Sequence, residues 1–275
     1  MNSSATYSPR GLRPHSHAQR SAIIAQLVPL WQQKFGDNLR AIAASASYAR
    51  GADQAYSDLE LVVFLHQAVP SDADQYLQRI VDGMLIEAVY VTEESFLAPH
   101  RTLGGDWHVA ASETLVAVYN PTFITTIHEQ LRTIQHPPAQ CIVQAARRFI
   151  EVQEACGKVL NALDQANRDG LPLLLFDATL HMLATLAFLN QQPFITFASF
   201  IQQARNFRIK PQRFDDLLDL VVAGNYTDLP HLRQLVLTVF ASFEQVFADH
   251  GFALYDDTLD PNVPNKRYPA AVISD

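Results

Sequence analysis

The sequence predicts an α+β fold: a mixed sheet with helices in the first half, then a helical bundle. Three observations predict it. Short apolar runs bounded by turn residues recur up to about residue 120, the pattern of strands. From His136-Pro137-Pro138 onward the apolar residues fall almost only at helical spacing. The 275 residues are 48% apolar and 17% charged, enough for a substantial core in one large domain or two smaller ones. The boundary falls near Pro138. It gives a loose tail at 1–20, a mixed-sheet domain at 21–137, and a helical domain with an extended C-terminal tail at 138–275.

The elements follow in order. The tail is rich in Pro, Gly and Ser and carries His15 and His17, which read as solvated. Residues 18–35 place Ile23, Ile24, Leu27, Leu30 and Trp31 at helical spacing, with Pro29 as a kink. "LRAIAASAS" reads as a strand, followed by a turn of small residues and a second strand, "LELVVFL". "SDADQYLQRIVDGM" opens with a capping signal and reads as a helix. "LIEAVYV" and "ETLVAVYN" are the third and fourth strands. Helices are then expected at roughly 139–167, 173–190, 196–207, 211–223 and 229–250. Turn residues separate them, which suggests an antiparallel bundle.

Composition excludes several classes. A net charge of −8 argues against a nucleic-acid binder, which needs a basic face, and suits a cationic ligand. Cys141 and Cys156 lie fifteen residues apart on one expected helix and cannot bridge, so a reducing compartment is expected. The N-terminus has no apolar stretch of a signal peptide, and no run is expected to span a membrane, so the reading is a cytoplasmic protein. There is no P-loop, no G-x-G-x-x-G and no G-x-S-x-G.

The chemistry centres on Asp58 and Glu60. In a strand, residues two apart share a face, so both carboxylates point the same way. Glu87 lies in a later strand and joins them if the two strands pair. Alone, an Asp-x-Glu is usually a solvated strand end. At about 6 Å and an effective dielectric near 20, each acid pair repels by about 2.8 kcal/mol, so a cluster calls for a cation or a proton. Hard oxygen donors suit magnesium. Upstream, Ser47 and Arg50 sit in a turn whose backbone N–H groups, hydroxyl and guanidinium suit a phosphate. On the expected helix at 139–167, Phe149, Val152, Cys156, Val159 and Leu163 form an apolar stripe. Glu154 and Lys158 lie off that stripe, an i,i+4 pair that by itself reads as solvent-facing. Asp53 reads as a turn residue, Trp107 and His108 as loop residues that pack or line a pocket, Tyr90 as core or pocket, and His181 as a core histidine.

With Ser57-Asp58-Leu59-Glu60 after a small-Ser turn, the chain resembles the polymerase-β-like nucleotidyltransferases. "KFGDNLRAIAASASYARGADQAYSDLEL", "LIEAVYVTEESF", "EACGKVLN" and "FDDLLDLVVAGNYTDLPHLRQLV" narrow this to a resemblance to the kanamycin nucleotidyltransferase-like family, from about residue 20 to 257. The resemblance implies magnesium-dependent transfer of a nucleoside monophosphate from ATP or another NTP to a hydroxyl of an aminoglycoside-like polyhydroxyl amine. It implies two magnesium ions at Asp58, Glu60 and Glu87, and nucleotide contacts from Ser47, Arg50, Ser57 and Lys158. It gives Glu154 the role of general base and Lys158 that of neutralising phosphate charge. It also implies a homodimer whose site is shared between subunits. The chain departs from the family at Ala46 and Ala49, where glycines stand, and at Ile150, where the family has an acid. A lincosamide or macromolecular acceptor, or a non-catalytic nucleotide-binding relative, stay open as alternatives.

Overall fold

The computed structural model describes residues 11–71, 73–104, 114–252, 254 and 259–263. Two compact units make up the chain. One holds the residues up to Thr102 and the segment ending at Gln135; the other is mainly the chain from His136 onward.

The first unit opens with helix α1 (His17–Phe35). It starts inside the expected tail because Ser16 caps it. The Ser16 hydroxyl accepts from the Gln19 N–H at 3.2 Å, and the Gln19 side chain accepts from the Ser16 N–H at 2.7 Å, a capping box. His15 is accordingly buried rather than solvated. Then come β1 (Leu39–Ala44), the four-residue helix α2 (Ala46–Ala49), β2 (Leu59–Leu65), β3 (Tyr76–Val81), β4 (Met84–Thr92), α3 (Glu93–Arg101), β5 (Val116–Tyr119) and α4 (Pro121–Thr133). The strands form one five-stranded sheet in the order β3-β4-β2-β1-β5. β2 and β4 run parallel, and the other pairs are antiparallel.

The described residues of 71–84 do not form the expected helix. Their second half is β3, joined to β4 by a two-residue hairpin. Asp82 and Gly83 sit at φ 50° and 83°, the left-handed pair that a hairpin turn of matching twist requires. Val81 pairs with Met84 across it. The Asp-Gly dipeptide outweighs the upstream capping signal.

Strand alternation sorts the sheet into two buried faces. Leu59, Leu61, Val63 and Leu65 pack with Ile42, Ile86 and Ala88 against Ile24 and Trp31 of α1. Val62 and Phe64 face the other way, with Ala41 and Ala43, onto Phe96 and Leu97 of α3 and Phe123, Ile124 and Ile127 of α4. Asp58 and Glu60 share the parity of Val62 and Phe64, so they extend this second face beyond its apolar part.

The second unit is helical: α5 (Pro138–Asp164), α6 (Leu171–Leu189), a 3-10 turn at Phe197–Ser199, α7 (Phe200–Arg205), α8 (Phe214–Ala223) and α9 (Leu229–Asp249). The stripe Phe149, Val152, Cys156, Val159 and Leu163 is buried, as its spacing predicts. Phe149 meets Phe240, Phe243 and Phe247 of α9 with centroids 5.0–6.0 Å apart. Each such fully buried side chain contributes roughly 1.5–3 kcal/mol. Cys141 and Cys156 are free and buried, and burial pushes the Cys156 thiol up to about 12. One expectation needs correction: α6 is long and apolar enough, by length and composition, to cross a membrane. Its apolar residues, among them Leu175, Met182, Leu186 and Phe188, instead form the core of this unit.

Candidate active site

The parallel pairing of β2 and β4 sets Glu60 directly opposite Glu87. Opposed residues of paired strands share a face. With Asp58 two residues before Glu60, the sheet therefore collects three carboxylates at one end of its second face. They interact strongly. Burial, then the charge of Glu87, pushes Asp58 above the ordinary carboxylate range, and Arg20 opposes this. Burial, then Asp58 and Glu87, pushes Glu60 up as well, and Arg50 opposes it. The folded chain thus holds two acids in a setting that favours a proton or a cation.

Glu87 accepts a hydrogen bond from the Gln78 side-chain amide at 2.5 Å, from the neighbouring strand β3. Among the described residues no group of three His, Cys, Asp or Glu side chains is already arranged to hold a metal ion. Beside Glu60 and Glu87 opens a cleft of about 600 Å³, walled by Tyr76, Val89, Phe96 and His100.

Arg50 follows α2. Its Nη1 is buried and has no hydrogen-bond partner. A buried guanidinium N–H without an acceptor is costly, and its proximity to Glu60 leaves it ready for an anionic ligand. Ser47 lies on α2, half-buried, with its carbonyl accepting from the Ala52 N–H at 2.9 Å. Ala46 sits at φ 51°, in the left-handed region where glycine is at ease. Ala49 has no such φ. The Ser57 hydroxyl accepts from the Gln54 N–H at 2.9 Å and so shapes the loop that leads into Asp58.

Two residues of this loop carry more than their sequence suggests. Asp53 is not a simple turn residue. Its side chain is 3% exposed and bonds to both His17 and Arg20. Arg20 is fully buried and donates to the carbonyls of His15, Gln54 and Ser57. Such main-chain contacts across more than thirty positions leave no local signature, so composition assigns Arg20 to the tail.

Glu154 and Lys158 stand together on α5 of the second unit, 2.7 Å apart and exposed. The hydrogen bond and charge of Lys158 hold Glu154 below the ordinary carboxylate range. Glu154 in turn holds Lys158 above the usual lysine value. On α6 nearby, His181 Nε2 lies 3.4 Å from Asp177, while its Nδ1 is buried without a partner; it is not the satisfied core histidine expected. Tyr90 is core, packed edge-on against Phe35. Trp107 and His108 lie outside the described residues.

The donor set fits a hard divalent cation. It consists of carboxylate oxygens at the ends of neighbouring strands, two of them held high first by burial and then by the charge of their acidic neighbours, beside a guanidinium whose Nη1 has no hydrogen-bond partner. A mixed sheet presenting such acids ahead of a helical unit is the arrangement that the sequence resemblance implies, and the proteins similar to this chain are nucleotidyltransferases. Residues 125–253 match the family described as the KNTase C-terminal domain. An aminoglycoside nucleotidyltransferase (4′) of Staphylococcus aureus is 20% identical over 85% of this chain and 92% of its own length. An enzyme of the same name from a Bacillus species matches to the same extent. A nucleotidyltransferase-like protein from Exiguobacterium sibiricum 255-15 is 14% identical, covering 83% of this chain and 75% of its own, with a TM-score of 0.47. These similarities support a kanamycin nucleotidyltransferase-like enzyme, at modest identity.

Proposed function

We propose that the enzyme transfers a nucleoside monophosphate from ATP, or another NTP, to a hydroxyl of an aminoglycoside-like polyhydroxyl amine. One observation supports this reading above the rest: the register Glu60↔Glu87, two residues after Asp58 and near the Arg50 guanidinium, whose Nη1 has no hydrogen-bond partner. The names of the similar enzymes supply the acceptor class.

Asp58, Glu60 and Glu87 would hold one or two magnesium ions. When bound, magnesium offsets the triphosphate charge and orients its oxygens. Arg50 and Ser47 bind phosphate oxygens. Glu154 takes the proton of the acceptor hydroxyl as its oxygen attacks the α-phosphorus. The bond to the β-phosphate oxygen breaks, and pyrophosphate leaves. Lys158 steadies the phosphate charge that builds up. The exposure of Glu154 and Lys158 suits a site completed across a homodimer, each chain lending this pair to its partner. The acidic net charge suits a polycationic acceptor. The alternatives, a lincosamide, an RNA or no turnover at all, are outcomes of the same assay.

Incubation with ATP, magnesium and kanamycin tests the reading. The expected result is pyrophosphate release with a gain of one nucleoside monophosphate in the mass of the drug. Nucleotide bound, with no acceptor of any class modified, contradicts it.

A further inference from the structure

We propose that the N-terminal end of α1, acting through Arg20, is a positioning device that fixes Asp58 relative to the turn bearing Ser47 and Arg50. The inference rests on Asp58 as a metal ligand. Arg20 is fully buried and gives its guanidinium almost wholly to one loop. Nη2 donates to the carbonyls of Gln54 at 2.8 Å and Ser57 at 2.7 Å. Nη1 donates to the carbonyl of His15 at 2.9 Å and to the Asp53 carboxylate at 3.1 Å. Ser57 is the residue directly before Asp58, so the clamp ends one peptide away from the ligand.

The same stretch of α1 also grips the other arm. His17 stacks flat on Tyr48, with centroids 4.3 Å apart and planes 6° from parallel. The Ser21 and Tyr48 hydroxyls meet at 2.8 Å. Tyr48 lies between Ser47 and Arg50 in the chain. His17 further bonds Asp53 at 2.8 Å, which ties the two grips together. Thus three residues of one helix, within five positions, hold both ends of the segment 47–58.

A buried arginine is an expensive way to hold a loop, because any unmet donor or unpaired charge is heavily penalised. Its planar fork reaches several carbonyls at once, which the point charge of a lysine does not. A purely packing role needs no such fork. Arg20 is therefore a positioning residue, acting on the cation through Asp58.

Binding of Mn²⁺ to the full-length chain with ATP, read from the paramagnetic resonance signal of the free ion, tests this. Two variants are compared with the parent: Arg20→Lys, which keeps the charge and loses the fork, and Asp53→Asn, which keeps an oxygen acceptor and loses the ion pair. Both are expected to bind Mn²⁺ about 10–100-fold more weakly, the range for partners that orient a ligand. Asp53→Asn keeps its circular dichroism and a cooperative melt. If either variant folds and binds Mn²⁺ as tightly as the parent, with only a lower melting temperature, Arg20 is a structural clamp and the inference falls. A parent that binds no Mn²⁺ overturns the metal reading itself, and this inference with it.

Discussion

In the sheet unit, Asp58 and Glu60 are half-buried and held above the ordinary carboxylate range; on α5 of the helical unit, Glu154 is exposed and held below it. The difference follows from geometry. Asp58 and Glu60 are half-buried, and because neighbouring strands lie about 4.8 Å apart the nearby acids add repulsion at short range. On a helix surface, a lysine one turn away meets the acid directly. Among the described residues the sheet therefore leaves its carboxylates without a paired cation, whereas the helix supplies one to its own. The comparison separates two carboxylates disfavoured as anions, which the proposed function gives to a cation, from an ionised one, to which it gives the role of base.

The sharpest way to break the comparison is to remove one member of each kind. Asp58→Asn is expected to lower turnover by roughly 10³-fold, at the upper end of what removal of one strong electrostatic contact does. Its melting temperature without metal is expected to stay level or rise, since a repulsion is lost. An active Asp58→Asn enzyme removes the metal reading. Glu154→Gln is next. It is expected to lower kcat about 10²–10⁴-fold, as loss of a general base does, with the melting temperature unchanged. A drop in KM affinity alone, with kcat intact, contradicts the base assignment.

The pH dependence sharpens the same contrast. Glu60 is held high, so the folded chain binds that proton more tightly than the unfolded chain. Its unfavourable effect on stability is full above its folded range and fades as the pH falls through it. Metal-free Glu60→Gln is therefore expected to melt higher than the parent at neutral pH, with the gap closing toward acid. A gap that widens toward acid reverses the sign and refutes the assignment. The smallest effect belongs to Ala46. With φ at 51°, its Cβ is strained, and Ala46→Gly is expected to stabilise by about 0.5–1 kcal/mol, measured by denaturant unfolding.

Much of this was legible in the residues. The helical unit follows from apolar spacing between clear turns, and every residue of the Phe149–Leu163 stripe is buried. The acid pair follows from strand parity, and the fit of Glu87 from strand pairing alone. What escaped is long-range. β3 has a helix-like opening, and only its partnership with β4 across Asp82-Gly83 makes it a strand. Helices α3 and α4 were not expected, although Thr92 caps α3 through Ser95. Arg20 stands among tail-like residues, and its role exists only once the loop 53–57 folds over it. Gln78, which donates to Glu87, owes its place to the same unforeseen hairpin.

The central claim is that the two units contribute complementary halves of one reaction, with Glu154 and Lys158 lent across a dimer. Mixing inactive Asp58→Asn chains with inactive Glu154→Gln chains tests it most directly. Equal mixing makes half the dimers mixed, each with one intact site, so about one quarter of parental transfer to kanamycin is expected. Confirmed heterodimers that transfer nothing would contradict the account.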